Sequence, residues 1–281
     1  MKKIILVVLL VGIAGVAGVV RSHSRGNGGV WPLSFDDDKQ SAGDVREEIR
    51  KSFELSPGAR VEVDGINGWV KIETSDSKTA DVYIERTGES QKALNRRRIT
   101  IDSSPTGLTI RGEKGEGSFF SRIFGSSPRE NVTLRLPRQI SLVAQGVNGS
   151  VTVSEIDGPV EVHGINGKVD IAQASGSAEL NGINGNISLG LKQLDKGIDI
   201  NGINGNIELR LSDGVNAALE AHGMNGNVTS DLPDVVVNKQ SYGSYSAQIG
   251  KGGNSISASG INGNIHLTRM MTATAESKRG S

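Results

Sequence analysis

The stretch Val160-Glu-Val-His-Gly-Ile-Asn-Gly-Lys-Val-Asp-Ile171 decides the fold, because Ala178-Glu-Leu-Asn-Gly-Ile-Asn-Gly-Asn-Ile-Ser-Leu189 repeats its pattern 18 residues later. Each copy alternates apolar and polar residues on both sides of Gly-Ile-Asn-Gly. That is the period-two signature of two half-buried strands joined at a glycine corner. The motif Gly-x-Asn-Gly, with Ile, Val or Met at x, starts seven times, at Gly65, Gly146, Gly164, Gly182, Gly202, Gly223 and Gly260. The last six starts are 18, 18, 20, 21 and 37 residues apart, and the first gap is 81. A period near 20 marks a repeat fold, in which 37 residues read as about two units and 81 as about four.

The flanks repeat as well. Counted from each first glycine, positions −4 and −2 are apolar in every copy, from Val61 and Val63 to Ile256 and Ala258. Positions +5 and +7 follow, from Val70 and Ile72 to Ile265 and Leu267, and only Val228/Ser230 departs. Two architectures fit, a stack of Asn-Gly hairpins or a coil that turns a corner at each motif. The +1 residues Ile66, Val147, Ile165, Ile183, Ile203, Met224 and Ile261 argue for the coil, since a two-residue hairpin turns that position toward the polar face. The +2 residues Asn67, Asn148, Asn166, Asn184, Asn204, Asn225 and Asn262 argue the same way. Stacked about 4.8 Å apart, each amide donates to one neighbour and accepts from the next. A second run, Asn186, Asn206, Asn227 and Asn264, lies at +4. The fold class read from this pattern is all-β: a single parallel β-solenoid with rungs of about 18–21 residues, successive copies piled in register, preceded by an N-terminal hydrophobic helix.

Composition narrows the function classes. Lys+Arg and Asp+Glu both number 31, so the formal charge is zero and bulk electrostatics gives no reason to expect nucleic acid as a partner. The 38 glycines are roughly twice the usual share and fit a chain rich in turns. The absence of cysteine excludes disulfides, thiolate metal sites and a cysteine nucleophile. Met1-Lys2-Lys3 precedes an apolar run from Ile4 to Val20, which reads as a cleaved signal peptide or a retained membrane anchor. The expected domains are the leader or anchor at 1–25, a flexible linker at 26–43, the strand-repeat domain at 44–270 with an inserted loop at 112–130, and a disordered tail at 271–281.

The Gly-Ile-Asn-Gly units behind an export signal, with the opening segment Phe53-Glu-Leu-Ser-Pro-Gly-Ala-Arg-Val-Glu-Val-Asp64, resemble the GIN-domain adhesin family of bacterial β-strand-repeat proteins. The resemblance spans roughly Ile49 to Met270. It implies a β-helix-like fold, an envelope location and a role in adhesion, and it carries over no catalytic residue. The segment from Gly112 to Glu130 departs from the family pattern.

Candidate sites are few. Glu161, Glu179, Asp199 and Glu220 share position −3 on four successive units and face outward. Neighbouring charges at rung spacing repel by roughly 0.9 kcal/mol in water, which favours a cation or basic partner over bare solvent without requiring one. Phe119, Phe120 and Phe124 in the inserted loop either contact a bilayer or partner, or fold back to cap the coil. His163 and His222 share one register position, but three units separate them by about 14 Å, too far for one metal ion. No metal site and no cofactor are expected. Arg96-Arg97-Arg98 reads as a strand end, and Ser75-Asp-Ser-Lys78 matches a penicillin-interacting motif by chance. The functional expectation is a non-enzymatic envelope protein, an adhesin or scaffold whose repeated polar surface contacts polysaccharide or a protein partner. The alternatives are a polysaccharide-acting enzyme on a β-helix scaffold and a membrane-anchored envelope stress or signalling component. The expected location is exported: periplasm, cell surface, or held at the membrane by the N-terminal segment if it is not cleaved.

Overall fold

The computed structural model describes residues 45–115 and 127–270. The expectations for the N-terminal helix or leader, the linker, the C-terminal tail and the loop residues Phe119, Phe120 and Phe124 lie outside the described residues. The chain enters on β1 (Val45–Glu54), and β2 (Ala59–Asp64) and β3 (Val70–Ser75) flank the first corner. The long gap holds β4 (Thr79–Gly88), α1 (Gln91–Leu94), β5 (Arg97–Ser104), β6 (Gly107–Lys114) and β7 (Arg129–Pro137). Four corner pairs follow: β8 (Ile140–Gln145) with β9 (Val151–Ile156), β10 (Val160–His163) with β11 (Val169–Ala174), β12 (Ala178–Asn181) with β13 (Ile187–Leu191), and β14 (Ile198–Asn204) with β15 (Ile207–Leu211). The chain ends with β16 (Ala217–His222), β17 (Val228–Ser230), β18 (Val237–Ser241), β19 (Ser244–Ile249), β20 (Asn254–Asn262) and β21 (Ile265–Arg269).

Each corner joins a strand of one sheet to a strand of the other, so the two halves of a motif do not pair with each other as a hairpin would. The ten-stranded sheet runs β1-β4-β7-β3-β9-β11-β13-β15-β21-β17 and the eleven-stranded sheet β18-β19-β16-β20-β14-β12-β10-β8-β2-β6-β5. Between the sheets lies one apolar core. In the Gly182 rung, Ala178, Leu180, Ile183, Ile187 and Leu189 all point into it and are buried. The +1 side chain turns inward in every copy, from Ile66 to Ile261. Burial of one such aliphatic side chain is worth about 1.5–3 kcal/mol, and the same five positions recur in each unit.

The glycines serve two separate needs. The first corner glycine takes a left-handed φ, +64° at Gly182 and at Gly202, where a Cβ is strained. The fourth residue is glycine because backbones stack there: a Cβ on Gly185 would collide with the carbonyl oxygen of Gly167.

Piling in simple chain order does not hold. The Gly65 rung lies directly against the Gly146 rung, with Val61 opposite Leu142 and Val70 opposite Val151. The 81 residues between them are therefore not four stacked units. They supply one further rung, β6 with β7, on the far side of β2/β3, together with the antiparallel strands β4 and β5. At the other end the last rung is inserted: β20/β21 lies between β14/β15 and β16/β17. The 37-residue gap is thus a rung plus the antiparallel hairpin β18/β19, which covers β16. Nor is the coil wholly parallel. Antiparallel strands end both sheets at one end of the coil, through β1/β4 and β5, and the eleven-stranded sheet at the other, through β18/β19. They shield those strand edges from further association, whereas the ten-stranded sheet ends at that other end on the parallel strand β17. Ser230, the one polar +7 residue, belongs to the short strand β17 at the end of its sheet.

The β6/β7 rung lacks the motif, and a buried ion cluster lies against the Gly65 corner beside it. Glu130 is fully buried, and its Oε2 accepts from Arg97 Nε at 2.9 Å and from the Asn67 N–H at 3.4 Å. Arg97 also donates to the Gly65 carbonyl. Arg86, itself buried, donates to Glu47 Oε2 at 2.6 Å and to the carbonyls of Leu94 and Arg97 at 2.7 Å each. Side chains here take the hydrogen-bonding role that a neighbouring backbone corner has elsewhere.

Candidate functional site

The corner geometry sets two columns of asparagine. In the first, Nδ2 of Asn148 donates to Oδ1 of Asn67 at 2.9 Å, Asn166 to Asn148 at 3.0 Å, Asn184 to Asn166 at 3.2 Å and Asn204 to Asn184 at 3.0 Å. Asn262 then donates to Asn204 at 2.9 Å and Asn225 to Asn262 at 3.0 Å. Asn67 ends the column by donating to the Pro128 carbonyl at 2.8 Å. A carbonyl only accepts, so that contact fixes the direction of all seven amides.

The second column lies at +4, where the chain enters the ten-stranded sheet. Its amides bond differently. Oδ1 of Asn186 accepts the Asn206 N–H at 2.9 Å, Oδ1 of Asn206 the Asn264 N–H at 3.0 Å, and Oδ1 of Asn264 the Asn227 N–H at 2.9 Å. The Tyr245 hydroxyl lies 3.1 Å from Oδ1 of Asn227. A backbone N–H needs an oxygen to receive it, so these NH₂ groups point away from the backbone. Among the described residues, Nδ2 of Asn186, Asn206 and Asn227 donates to no protein acceptor. The four side chains are exposed and line a shallow groove of about 650 Å³.

The groove floor is the row at +6, whose register runs Lys71, Thr152, Asp170, Ser188, Glu208, His266, Thr229. Lys168 Nζ holds Asp170 at 2.9 Å, and Arg210 reaches the other oxygen of Asp170 at 3.1 Å. At the row's start Lys71 hydrogen-bonds Glu73 and holds its carboxyl below the usual carboxylate range, assisted by charge attraction. Ser188 Oγ donates to Glu208 Oε2 at 2.9 Å, and His266 Nε2 lies 3.0 Å from Asp231 Oδ2. Ser188 and His266 flank Glu208 on opposite sides, two rungs or about 10 Å apart. The imidazole therefore does not reach the hydroxyl, and the pair lacks the nucleophile–base contact of a serine hydrolase.

The acidic stripe is placed differently from the sequence reading. Glu161, Glu179 and Asp199 are successive, but Ser257 stands between Asp199 and Glu220, so the four carboxylates are not on four successive rungs. Glu161 accepts from Arg60 at 3.4 Å. These residues face out from the eleven-stranded sheet, on the opposite side of the coil from the groove. His163 and His222 are four rungs apart rather than three, with Asn181, Asn201 and Ser259 between them. Among the described residues no cluster of His, Asp and Glu has the geometry of a metal site. Arg97 begins β5 as a strand end, yet its guanidinium is turned onto buried Glu130. His266, in β21, lines the groove.

Residues 145–268, which hold six of the seven corners, match the family described as Toastrack DUF4097. Solved structures with a similar course include a candidate cell-adhesion protein from Clostridium sporogenes ATCC 15579, at 13% identity and a TM-score of 0.36, covering 79% of this chain and 100% of that one. A candidate adhesin from Parabacteroides merdae ATCC 43184 is 12% identical with a TM-score of 0.33, over 78% of this chain and 95% of that one. A candidate lipid-binding protein from Parabacteroides distasonis ATCC 8503 is 11% identical with a TM-score of 0.26, over 79% and 94%. No curated protein matches the chain.

Proposed function

We propose that this chain is a non-enzymatic binding protein of the cell envelope, an adhesin or scaffold that holds polysaccharide or a protein partner on the polar face of its ten-stranded sheet. The observation that carries the reading is the groove over β11, β13, β15, β21 and β17, where one rung after another offers an outward amide from a rigid support. A site held by backbone pairing on both sides loses little conformational entropy when it binds. The envelope location rests on the apolar run Ile4 to Val20 behind two lysines. The test is a glycan array and an envelope-protein capture with the full chain, run beside a reducing-sugar release assay. Binding without release supports the reading. Release of reducing ends, abolished by Glu208→Gln, would replace it with an enzyme.

A further inference from the structure

We infer that the ligand is a neutral, linear glycan laid along the coil axis, and that Trp69 is the aromatic platform on which one end of it stacks. The inference rests on the reading that the groove face is the binding face, and it names what that face takes.

Register places Trp69 in the same column as the groove asparagines. The backbone bonds at +5 run from Val70 N to Ser150 O, Val151 N to Lys168 O, Val169 N to Asn186 O, Ile187 N to Asn206 O, Ile207 N to Asn264 O and Ile265 N to Asn227 O. The +4 column therefore runs from Trp69 through Ser150, Lys168, Asn186, Asn206 and Asn264 to Asn227, and the bond from Val132 N to Trp69 O places Asn131 one rung beyond Trp69. At about 4.8 Å per rung it is about 29 Å long from Trp69 to Asn227. Trp69 is 39% exposed, one of three large hydrophobic side chains left exposed among the described residues. Its neighbours along the column are polar, so it is not the rim of an apolar patch.

The chemistry of the column selects the ligand. The NH₂ groups of Asn186 and Asn206 are directed outward, their oxygens occupied by backbone N–H donors, so the ligand must bring acceptors. Carboxylate, sulfate and phosphate polymers also bring acceptors, but the floor repels them. The cations near it are already paired, Lys71 with Glu73 and both Lys168 and Arg210 with Asp170, while the Glu208 carboxylate and Asp231 stand beside His266. Glu208 in turn needs a donor from the ligand beyond the one Ser188 supplies. A polymer with many acceptors and donors, no net charge and apolar ring faces is a neutral glycan. Its hydroxyl and ring oxygens meet the amides, its hydroxyl protons meet Glu208, and a ring face covers Trp69.

Trp31 is the chain's second tryptophan, so a Trp31→Phe background leaves Trp69 as the sole indole reporter. The experiment titrates this full-length variant with β-1,4-linked glucose and N-acetylglucosamine oligomers of increasing length, with heparin and polygalacturonate as anionic comparators and an extended peptide library as a third arm. Neutral oligomers are expected to bind and shift Trp69 emission, with affinity rising with length until the ligand spans the column. Measured by calorimetry, Trp69→Ala lowers affinity about tenfold or more, Trp69→Phe retains most of it, and Asn186→Ala and Asn206→Ala each weaken it severalfold, with Tm lower by no more than a few degrees because each gives up a hydrogen bond to a backbone N–H. If the asparagine variants abolish binding but the anionic polymers or peptides bind best, or Trp69→Ala is silent, the glycan inference fails while the groove face stands. If glycans bind and the asparagine variants change nothing, the groove reading itself fails. No binding by any neutral oligomer also overturns the inference.

Discussion

The order of the rungs can be tested through the first asparagine column alone. Asn204 donates to Asn184 at 3.0 Å and accepts from Asn262 at 2.9 Å, whereas Asn225, at the end of the column, donates to Asn262 at 3.0 Å and accepts from no further asparagine. A net hydrogen bond between exposed amides is worth about 1 kcal/mol. Asn204→Ala and Asn262→Ala, which each break two, should cost about 2 kcal/mol, and Asn225→Ala about 1 kcal/mol. For a domain of this size that is about 4–8 °C and about 2–4 °C in Tm respectively. The decisive quantity is the coupling in double-mutant cycles measured by urea unfolding. Asn204 with Asn262, and Asn262 with Asn225, should each couple by about 1 kcal/mol, while Asn204 with Asn225, two rungs or about 10 Å apart, should be additive. Stacking in chain order predicts the reverse: coupling between Asn204 and Asn225, and none between Asn204 and Asn262. That result would refute the inserted position of the last rung.

The remaining predictions concern buried charge, the corners and the last rung. Glu130→Ala leaves the partly buried guanidinium of Arg97 without its carboxylate and should cost about 3 kcal/mol, read as a lower urea midpoint. Glu130→Gln keeps acceptor and volume and should cost clearly less, and equal losses would show that the carboxylate charge is immaterial. Gly182→Ala meets a left-handed φ of +64° with no backbone clash and should cost about 1–2 kcal/mol. Gly185→Ala drives a methyl into the Gly167 carbonyl, so its loss in Tm should be the larger of the two. Leu267→Ala opens a cavity in β21 and should cost about 2–5 kcal/mol. Hydrogen exchange in that variant should accelerate in β17 before β11, since β17 pairs with β21 alone.

The parts of this fold that were legible in the sequence are those that each unit dictates locally. Inward +1 residues such as Ile183, and parity at −4, −2, +5 and +7, specify a corner between two sheets whichever neighbour a rung acquires. The order of rungs was not legible for the same reason. Asn204, Asn225 and Asn262 are chemically identical, so any of them completes a column with any other, and the choice is made by long-range pairing. The broken stripe at Ser257 follows from that choice. Ser230 was a local sign that β17 ends its sheet, and it was visible as the one polar +7 residue. The Arg97–Glu130 pair was hidden, because Arg97 sits in a basic run that reads as a strand end and Glu130 ends an aperiodic insertion. Trp69 could have been found by carrying the +4 column back past Lys168 and Ser150, but a residue type that occurs once in a column gives no periodic signal.

The inserted rung bears directly on the groove. Glu208, His266 and Thr229 lie in β15, β21 and β17, and Asn206, Asn264 and Asn227 immediately precede those strands, so the column is continuous only because β21 lies between the other two. The strand that completes the candidate site is also the last of the described strands, and its neighbours on both sides are made earlier in the chain. A ligand spanning Asn206 to Asn227 therefore binds only the state in which the last rung is in place. It stabilises that state by RT ln(1 + [L]/Kd), about 2.7 kcal/mol at a hundredfold excess over Kd. That gain should appear as slower hydrogen exchange in β21 and β17 and leave the antiparallel strands β1 and β4, at the far end of the same sheet, unchanged. Uniform protection across both ends would mean that the ligand sits elsewhere.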